Sequence, residues 1–241
     1  MKIIFTFCVC FPILAESQPQ FYLSVETSYA TYKMRQMKDI QSEFIAHNTV
    51  RLEQVASFPG YFGYGVSFGL NLNSKSSIGS SISYNSTGGR ADYEDYSGLA
   101  RRDQLLYCFS FRSIYKSQIN KSELWPLFMS ISASWVLTQS DIKTQLTLGS
   151  QTQTQKVSFN STNYGIQPSL VLQRNVRKNL FLQASAGYEV QLAGKLYYSN
   201  NIKYYLLDSQ GKPAKADWSG VRFGLGAGVF IGKGKTQGQS N

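Results

Sequence analysis

Residues 219–232 read SGVRFGLGAGVFIG, and taken alternately they fall into two sets. Val221, Phe223, Leu225, Ala227, Val229 and Ile231 form one. Arg222, Gly224, Gly226, Gly228, Phe230 and Gly232 form the other. A period of two belongs to a β-strand, whose successive side chains point to opposite faces. Gly224 to Gly228 superficially suggest a dinucleotide-binding loop, but that fingerprint needs a following helix. Here the glycines alternate with apolar residues, as small inward residues do where a barrel wall curves.

Working outward, seven more segments alternate in the same way. The eight lie at about 20–32, 61–72, 77–85, 104–115, 127–138, 163–173, 180–193 and 219–232. In the fifth, Leu127, Met129, Ile131, Ala133, Trp135 and Leu137 oppose Phe128, Ser130, Ser132, Ser134, Val136 and Thr138. Alternation alone also suits a soluble barrel or sandwich. The contents of the two faces decide. A soluble barrel fills its inside with bulky apolar groups and wets its outside. In this chain the non-apolar face is rich in Gly, Ser and Gln with few long charged groups, and the apolar faces of all eight segments carry no charge. Hydrocarbon excludes charge, because Arg or Lys at a bilayer midplane costs about 2–4 kcal/mol.

Connections of two lengths alternate strictly. Those at 73–76, 116–126 and 174–179 are short; those at 33–60, 86–103, 139–162 and 194–218 are long. A membrane barrel has short periplasmic turns and long extracellular loops. Starting the first strand at the periplasm puts every long loop outside and both termini inside. With that orientation Tyr29, Tyr64, Tyr84, Tyr107, Trp135, Tyr164 and Tyr188 gather outward near the extracellular rim. Amphipathic rings favour that level, where tails meet headgroups. Tyr115 and Trp125 lie toward the other rim. The expected fold is all-β: an eight-stranded antiparallel up-and-down transmembrane barrel with four long extracellular loops and three short periplasmic turns.

The N-terminus reads as a secretory signal. Lys2 is followed by an apolar run from Ile3 to Leu14, and small residues at Ala15 and Ser17 fit cleavage after Ser17. The division is 1–17 signal peptide, 18–232 barrel and 233–241 short periplasmic tail. Cleavage leaves Cys108 as the sole cysteine, so no internal disulfide forms, and with His47 it falls short of a zinc site. No metal and no cofactor is expected. Net charge is +10, with basic residues scattered through loops and turns. That distribution favours phosphate-rich lipid surfaces over nucleic acid.

These features resemble the small outer-membrane β-barrel family that includes OmpA-type transmembrane domains and OmpX. The resemblance covers residues 18 to about 232 and rests on architecture: signal peptide, eight strands, loop asymmetry and a Gly-aromatic last strand. It implies insertion by the outer-membrane assembly machinery, with Val221, Phe223, Leu225, Val229 and Phe230 as the signal that machinery reads. Many members end on an aromatic residue, whereas here Ile231 and a tail follow.

Four ionisable residues fall on the inward face: Glu26, Arg112, Glu189 and Arg222. A buried charge is tolerable only when paired, so they are expected to form an interior charge network that fixes packing. An eight-stranded interior is just wide enough for side chains to fill it, which argues against a broad channel. Met34, Met37, Ile40, Phe44 and Ile45 recur at helical spacing, predicting an amphipathic helix in the first loop that caps the mouth. Arg90, Arg101, Arg102, Lys203, Lys212 and Lys215 crowd the outer loops, as contacts for outer-leaflet glycolipid phosphates. His47, the only histidine, has no serine partner at strand parity, so no acyl-transfer chemistry is expected of it. The reading is a monomeric structural or surface-interaction barrel, not an enzyme. A narrow porin-like channel, a lipid-modifying enzyme and a soluble ligand-binding barrel stay open as alternatives.

Overall fold

Phe21 pairs with Ile231 on one side and with Leu70 on the other, so the first strand stands between the third and the last. The computed structural model describes residues 20–47, 52–96, 98–122, 124–208 and 210–232. The predicted signal peptide (1–17) and the predicted tail (233–241) lie outside them. Along the chain run β1 (Gln20–Ala30), α1 (Arg35–Ala46), β2 (Glu53–Ser57), β3 (Tyr61–Asn71), β4 (Ser76–Asp95) and β5 (Gly98–Gln118). Then follow β6 (Leu127–Leu148), β7 (Gln151–Arg177), β8 (Leu180–Leu192), β9 (Tyr197–Tyr198), β10 (Asn201–Tyr205) and β11 (Gly220–Ile231). Antiparallel pairing runs β1–β3–β4–β5–β6–β7–β8–β11 and back to β1. The ring is an eight-stranded up-and-down barrel, which leaves no open sheet edge within the wall.

The short connections all lie at one end, which also holds the start of β1 and the end of β11. At the first of them the Asn73 Oδ1 accepts from the backbone N–H of Lys75 and Ser76 at 2.8 and 2.7 Å. At the second Asn120 plays a like part, its Oδ1 accepting from Leu127 N–H at 2.8 Å and its Nδ2 donating to the Trp125 carbonyl at 2.8 Å. Such local bonds are why Asn suits turns. The third turn is only 178–179.

Two of the four predicted long loops are not loops. The segments at 86–103 and 139–162 continue the ladder, making β4, β5, β6 and β7 strands of 20, 21, 22 and 27 residues. The tip between β6 and β7 is the tight connection at 149–150. Gly149 sits at φ 59°, a conformation glycine adopts without penalty. The apolar alternation of the outward face ends near Thr138, where Gln139, Asp141 and Lys143 take over the same parity. Backbone pairing does not depend on that change and continues. From Thr138 to Leu148 the strand climbs roughly 33 Å at strand rise. The other two long segments are irregular: 31–60 carries α1 and β2, and 193–219 carries β9 and β10. β2 pairs with β4, and β9 with β7.

The outer wall is apolar and open to its surroundings. Phe21, Val25, Phe68, Met129, Ile166, Leu225 and Ile231 are each more than half exposed (53–66%). A water-soluble monomer rarely exposes so continuous an apolar surface. Inside, Ser24, Ser67, Ser81, Ser110, Ser130, Ser132 and Ser134 are buried. No helix among the described residues is long and apolar enough to cross a membrane.

Candidate functional site

The lumen is built in three storeys. The lowest, at the short-turn end, is aromatic. Tyr22 and Phe181 meet edge-on with ring centroids 6.4 Å apart, and Phe181 lies 4.7 Å from Phe230. Tyr22, Val171 and Phe181 are buried, and the Lys116 ammonium lies 5.3 Å from the Tyr22 ring centre. Glycine makes this possible. A Cβ on Gly79 would strike the Tyr22 hydroxyl, and one on Gly228 would strike the Phe181 ring.

The middle storey is charged and centred on Glu189, which is 1% exposed. Arg222 reaches its Oε2 from Nη2 at 3.1 Å, and Arg112 does so at 3.4 Å. Ser134 donates to its Oε1 at 3.2 Å, and Gln191 at 2.7 Å. One carboxylate thus faces two guanidinium groups and two neutral donors. Three of the four predicted interior ions come together here. The fourth, Glu26, does not join them. It accepts from Gln183 Nε2 at 3.4 Å, and Gln183 Oε1 in turn lies 3.5 Å from the Lys116 ammonium. Glu26 therefore belongs to a lower polar chain toward the aromatic floor.

The top storey is apolar and comes from both irregular segments. Tyr32, Met34, Met37, Ile40, Phe58, Leu196, Ala214, Ala216 and Trp218 pack with Leu106, Cys108, Val136, Ile142 and Phe159 of the wall. Tyr32 and Trp218 meet edge-on at 4.9 Å. Polar wall residues tie the segments down. Thr138 Oγ1 accepts from the Trp218 indole N–H at 2.9 Å, and Asn163 Nδ2 donates to the Ala216 carbonyl at 3.2 Å. Met37, Ile40 and Gln41 of α1 are buried, and Gln41 Nε2 donates to the Ala56 carbonyl at 2.7 Å. The amphipathic helix thus covers the mouth with the face its spacing predicts. His47 sits exposed at its end, with Nδ1 3.0 Å from the Glu43 carbonyl oxygen.

On the outer wall, Tyr29, Tyr64, Tyr84, Trp135, Tyr164 and Tyr188 are exposed (38–66%). Tyr107 is half-buried, and its hydroxyl donates to Asp141 at 3.0 Å. Phe62, Phe109, Phe111 and Phe223 stand exposed among them; their alternation is visible in the sequence, but a Phe lacks the polar tip that marks a rim. Tyr115 and Trp125 occupy the opposite end, where the Arg174 guanidinium lies 4.6 Å from the Trp125 ring centre.

The six basic residues of the outer segments divide into two groups. Arg90 pairs with Asp103, and Arg101 with Asp92 at 3.5 Å. Arg102 lies 4.2 Å from the centre of the Phe44 ring, and burial lowers its pKa. These three are engaged in the hairpin and under α1. Lys203, Lys212 and Lys215 are exposed on the 193–219 segment, Lys212 Nζ donating to Gln210 Oε1 at 3.1 Å. Asp141 is a further outer group, on the same strand as Trp135. Burial raises its pKa, but hydrogen bonds from Lys156, Ser158, Tyr107 and Gln139 outweigh that and hold it at about 2. Among the described residues no three His, Cys, Asp or Glu side chains gather as a metal site.

No protein-family model matches the chain, and no curated protein does. Solved structures are similar to it. The outer membrane protein OprG from Pseudomonas aeruginosa aligns over 92% of this chain and 100% of its own, at 10% identity and TM-score 0.44. Neisserial surface protein A aligns over 88% and 96%, at 16% identity and TM-score 0.38. The outer membrane protease OmpT from Escherichia coli aligns over 88% and 94%, at 9% identity and TM-score 0.31. The likeness is one of architecture, and the closed ring of pairing defines that architecture by itself.

Proposed function

We propose that the chain is an integral β-barrel of a bacterial outer membrane, structural or surface-interacting in role, with its lumen sealed by side chains. One observation carries this reading: a closed ring whose outward face carries on every strand a belt that is apolar, uncharged and exposed. A sheet closed on itself satisfies its backbone groups internally, which hydrocarbon demands. In this reading residues 1–17 are a removed signal, 18–232 the barrel and 233–241 a periplasmic tail. The short turns and both ends of the barrel face the periplasm. The assembly machinery inserts it, and it works as a monomer. It catalyses no reaction: the ionisable groups of the lumen are committed to one another, and His47 stands alone on the surface. The aromatic ring at Tyr29, Tyr64, Tyr84, Trp135, Tyr164 and Tyr188 marks the outer headgroup level. Arg112, Glu189 and Arg222 fix the packing of the lumen. Of the six outer basic residues, Lys203, Lys212 and Lys215 are the ones free to meet glycolipid phosphates, since the three arginines are engaged.

Gel mobility of the detergent-extracted membrane fraction, boiled and unboiled, tests the reading. A closed barrel migrates faster unboiled and is found only with membranes. A single mobility in the soluble fraction would replace it with a secreted ligand-binding barrel.

A further inference from the structure

The surplus positive charge of the barrel does not sit in its long segments. Segments 31–60, 86–103, 139–162 and 193–219 together hold thirteen Lys or Arg against ten Asp or Glu. The three short connections at the opposite end, 73–76, 116–126 and 174–179, hold six Lys or Arg, and Glu123 is their one acidic residue. Lys116 turns into the lumen, where it meets Gln183 and Tyr22. The other five, Lys75, Lys121, Arg174, Arg177 and Lys178, are exposed, and none has an ion-pair partner among the described residues. The three turns make one arc. The Gln118 N–H donates to the Lys75 carbonyl at 2.7 Å, and the Gln173 N–H donates to the Pro126 carbonyl at 3.0 Å.

These cations border the apolar belt directly. Arg174 stands two residues past Leu172, at the same parity, and is in register with Leu182 of β8. Its guanidinium carbon lies 4.6 Å from the Trp125 ring centre. Ile119, Leu124 and Val176 are exposed in the same arc. An indole ring favours the level where tails meet headgroups. A long basic side chain there lays its stem on apolar surface and sends its charge to the polar side. A water-soluble polyanion would meet the charges and leave the apolar side chains bare, whereas a lipid covers both.

From this we infer that the short-turn rim binds anionic phospholipid, taking the phosphodiester headgroups of the inner leaflet on Arg174, Arg177 and Lys178. Cations in excess at a membrane surface draw such headgroups toward them. The inference rests on the membrane-barrel reading, which the gel mobility assay judges separately. Vesicles with the same lipids in both leaflets test the rim whichever way the barrel inserts.

Trp125 is the reporter. Trp135→Phe leaves it as the lipid-facing indole, since Trp218 is buried in the lumen. The refolded barrel is placed in mixed vesicles of phosphatidylglycerol and phosphatidylcholine, with one or the other brominated. Quenching of Trp125 should show a preference for phosphatidylglycerol of about fivefold or more, shrinking in high salt. Arg174→Gln, Arg177→Gln and Lys178→Gln together should bring the two lipids level while the unboiled form keeps its fast mobility. Lys203→Gln, Lys212→Gln and Lys215→Gln remove the same charge from the other end and should leave the preference intact. A folded barrel with no preference would overturn the inference. So would a preference that survives loss of the three rim cations, or one lost equally when the outer lysines are replaced. Millimolar inorganic phosphate erasing the preference at constant ionic strength would assign the cations to free phosphate and overturn it as well. If the rim variant does not form the fast-migrating species, the salt series on the parent barrel decides: a preference indifferent to salt is not made by these charges.

Discussion

Strand β6 is one continuous ladder, yet its outward face is built of two different chemistries. From Met129 to Leu137 it shows Met129, Ile131, Ala133, Trp135 and Leu137. From Gln139 to Thr147 the same parity shows Gln139, Asp141, Lys143, Gln145 and Thr147. Its neighbours change with it. β5 passes from Phe111 and Phe109 to Asp103 and Arg101, and β7 from Ile166 and Tyr164 to Ser158 and Lys156. Above the change, charges alternate across strands as Arg90–Asp103, Arg101–Asp92 and Lys156–Asp141. The hydrogen-bonded backbone is the same in both halves. What the outward side chains face changes, and the rings at Tyr84, Trp135 and Tyr164 stand where it does.

The contrast can be broken most severely from below. Leu225→Arg puts a cation in the middle of the belt, and is expected to cost about 2–4 kcal/mol. It would appear as lost heat-modifiable mobility after refolding into vesicles. Should Leu225→Arg fold as well as the unaltered chain, the belt does not face hydrocarbon. Asp141 gives the next largest effect, and carries a pH signature. Its pKa is depressed in the folded protein, so its contribution is complete above about pH 4 and is lost as pH falls toward about 2. Pepsin digestion at stepped pH should cut the β6–β7 hairpin increasingly across that window. Asp141→Asn should make the hairpin equally susceptible at both ends of it. Arg90→Ala, which breaks an exposed cross-strand pair, should cost no more than about 1 kcal/mol, and less in high salt. Smallest of all, Gln145→Arg places a cation at the same parity as Leu137 and should leave thermal stability unchanged within about 0.5 kcal/mol. The pair Leu225→Arg and Gln145→Arg is the sharpest form of the comparison: one chemical change on the same kind of face, with opposite outcomes.

The same boundary limited what the sequence could reveal. All eight wall strands are legible in it, because each carries an apolar face whose neighbours are Gly and Ser. Their upper limits are not. The run QTQTQKVS at 151–158 has no apolar alternation, yet it is strand, since Thr147, Gln145 and Lys143 offer it a backbone to pair with. The charged storey was half legible. Parity picks out Arg112, Glu189 and Arg222 as inward, but parity says nothing about height, and Glu26 lies too low to reach Glu189. Ser134, Gln191 and Gln183 gave no signal beyond being polar and inward. Trp218 lies in a segment without periodicity and was not foreseen. It folds back into the lumen because Thr138 and Arg222, far away in sequence, supply its partners. Two of the six basic residues lost their candidacy to Asp92 and Asp103 directly across the hairpin, a pairing that appears only once 86–103 is known to be strand.

The seam between β1 and β11 has a consequence in time. Phe21 and Ile231 are neighbours in space and stand near opposite ends of the described residues. Loop-closure entropy has to be met before such a contact gives anything back, so pairings this distant in sequence form slowly. Every other wall strand can find its partner within a hairpin as synthesis proceeds. β1 cannot complete its second edge until β11 has been made and delivered. Until then the growing sheet has two bare edges and a greasy face, the state most prone to aggregation. The last strand therefore works as a checkpoint: a chain missing it is left an open ribbon rather than a smaller barrel.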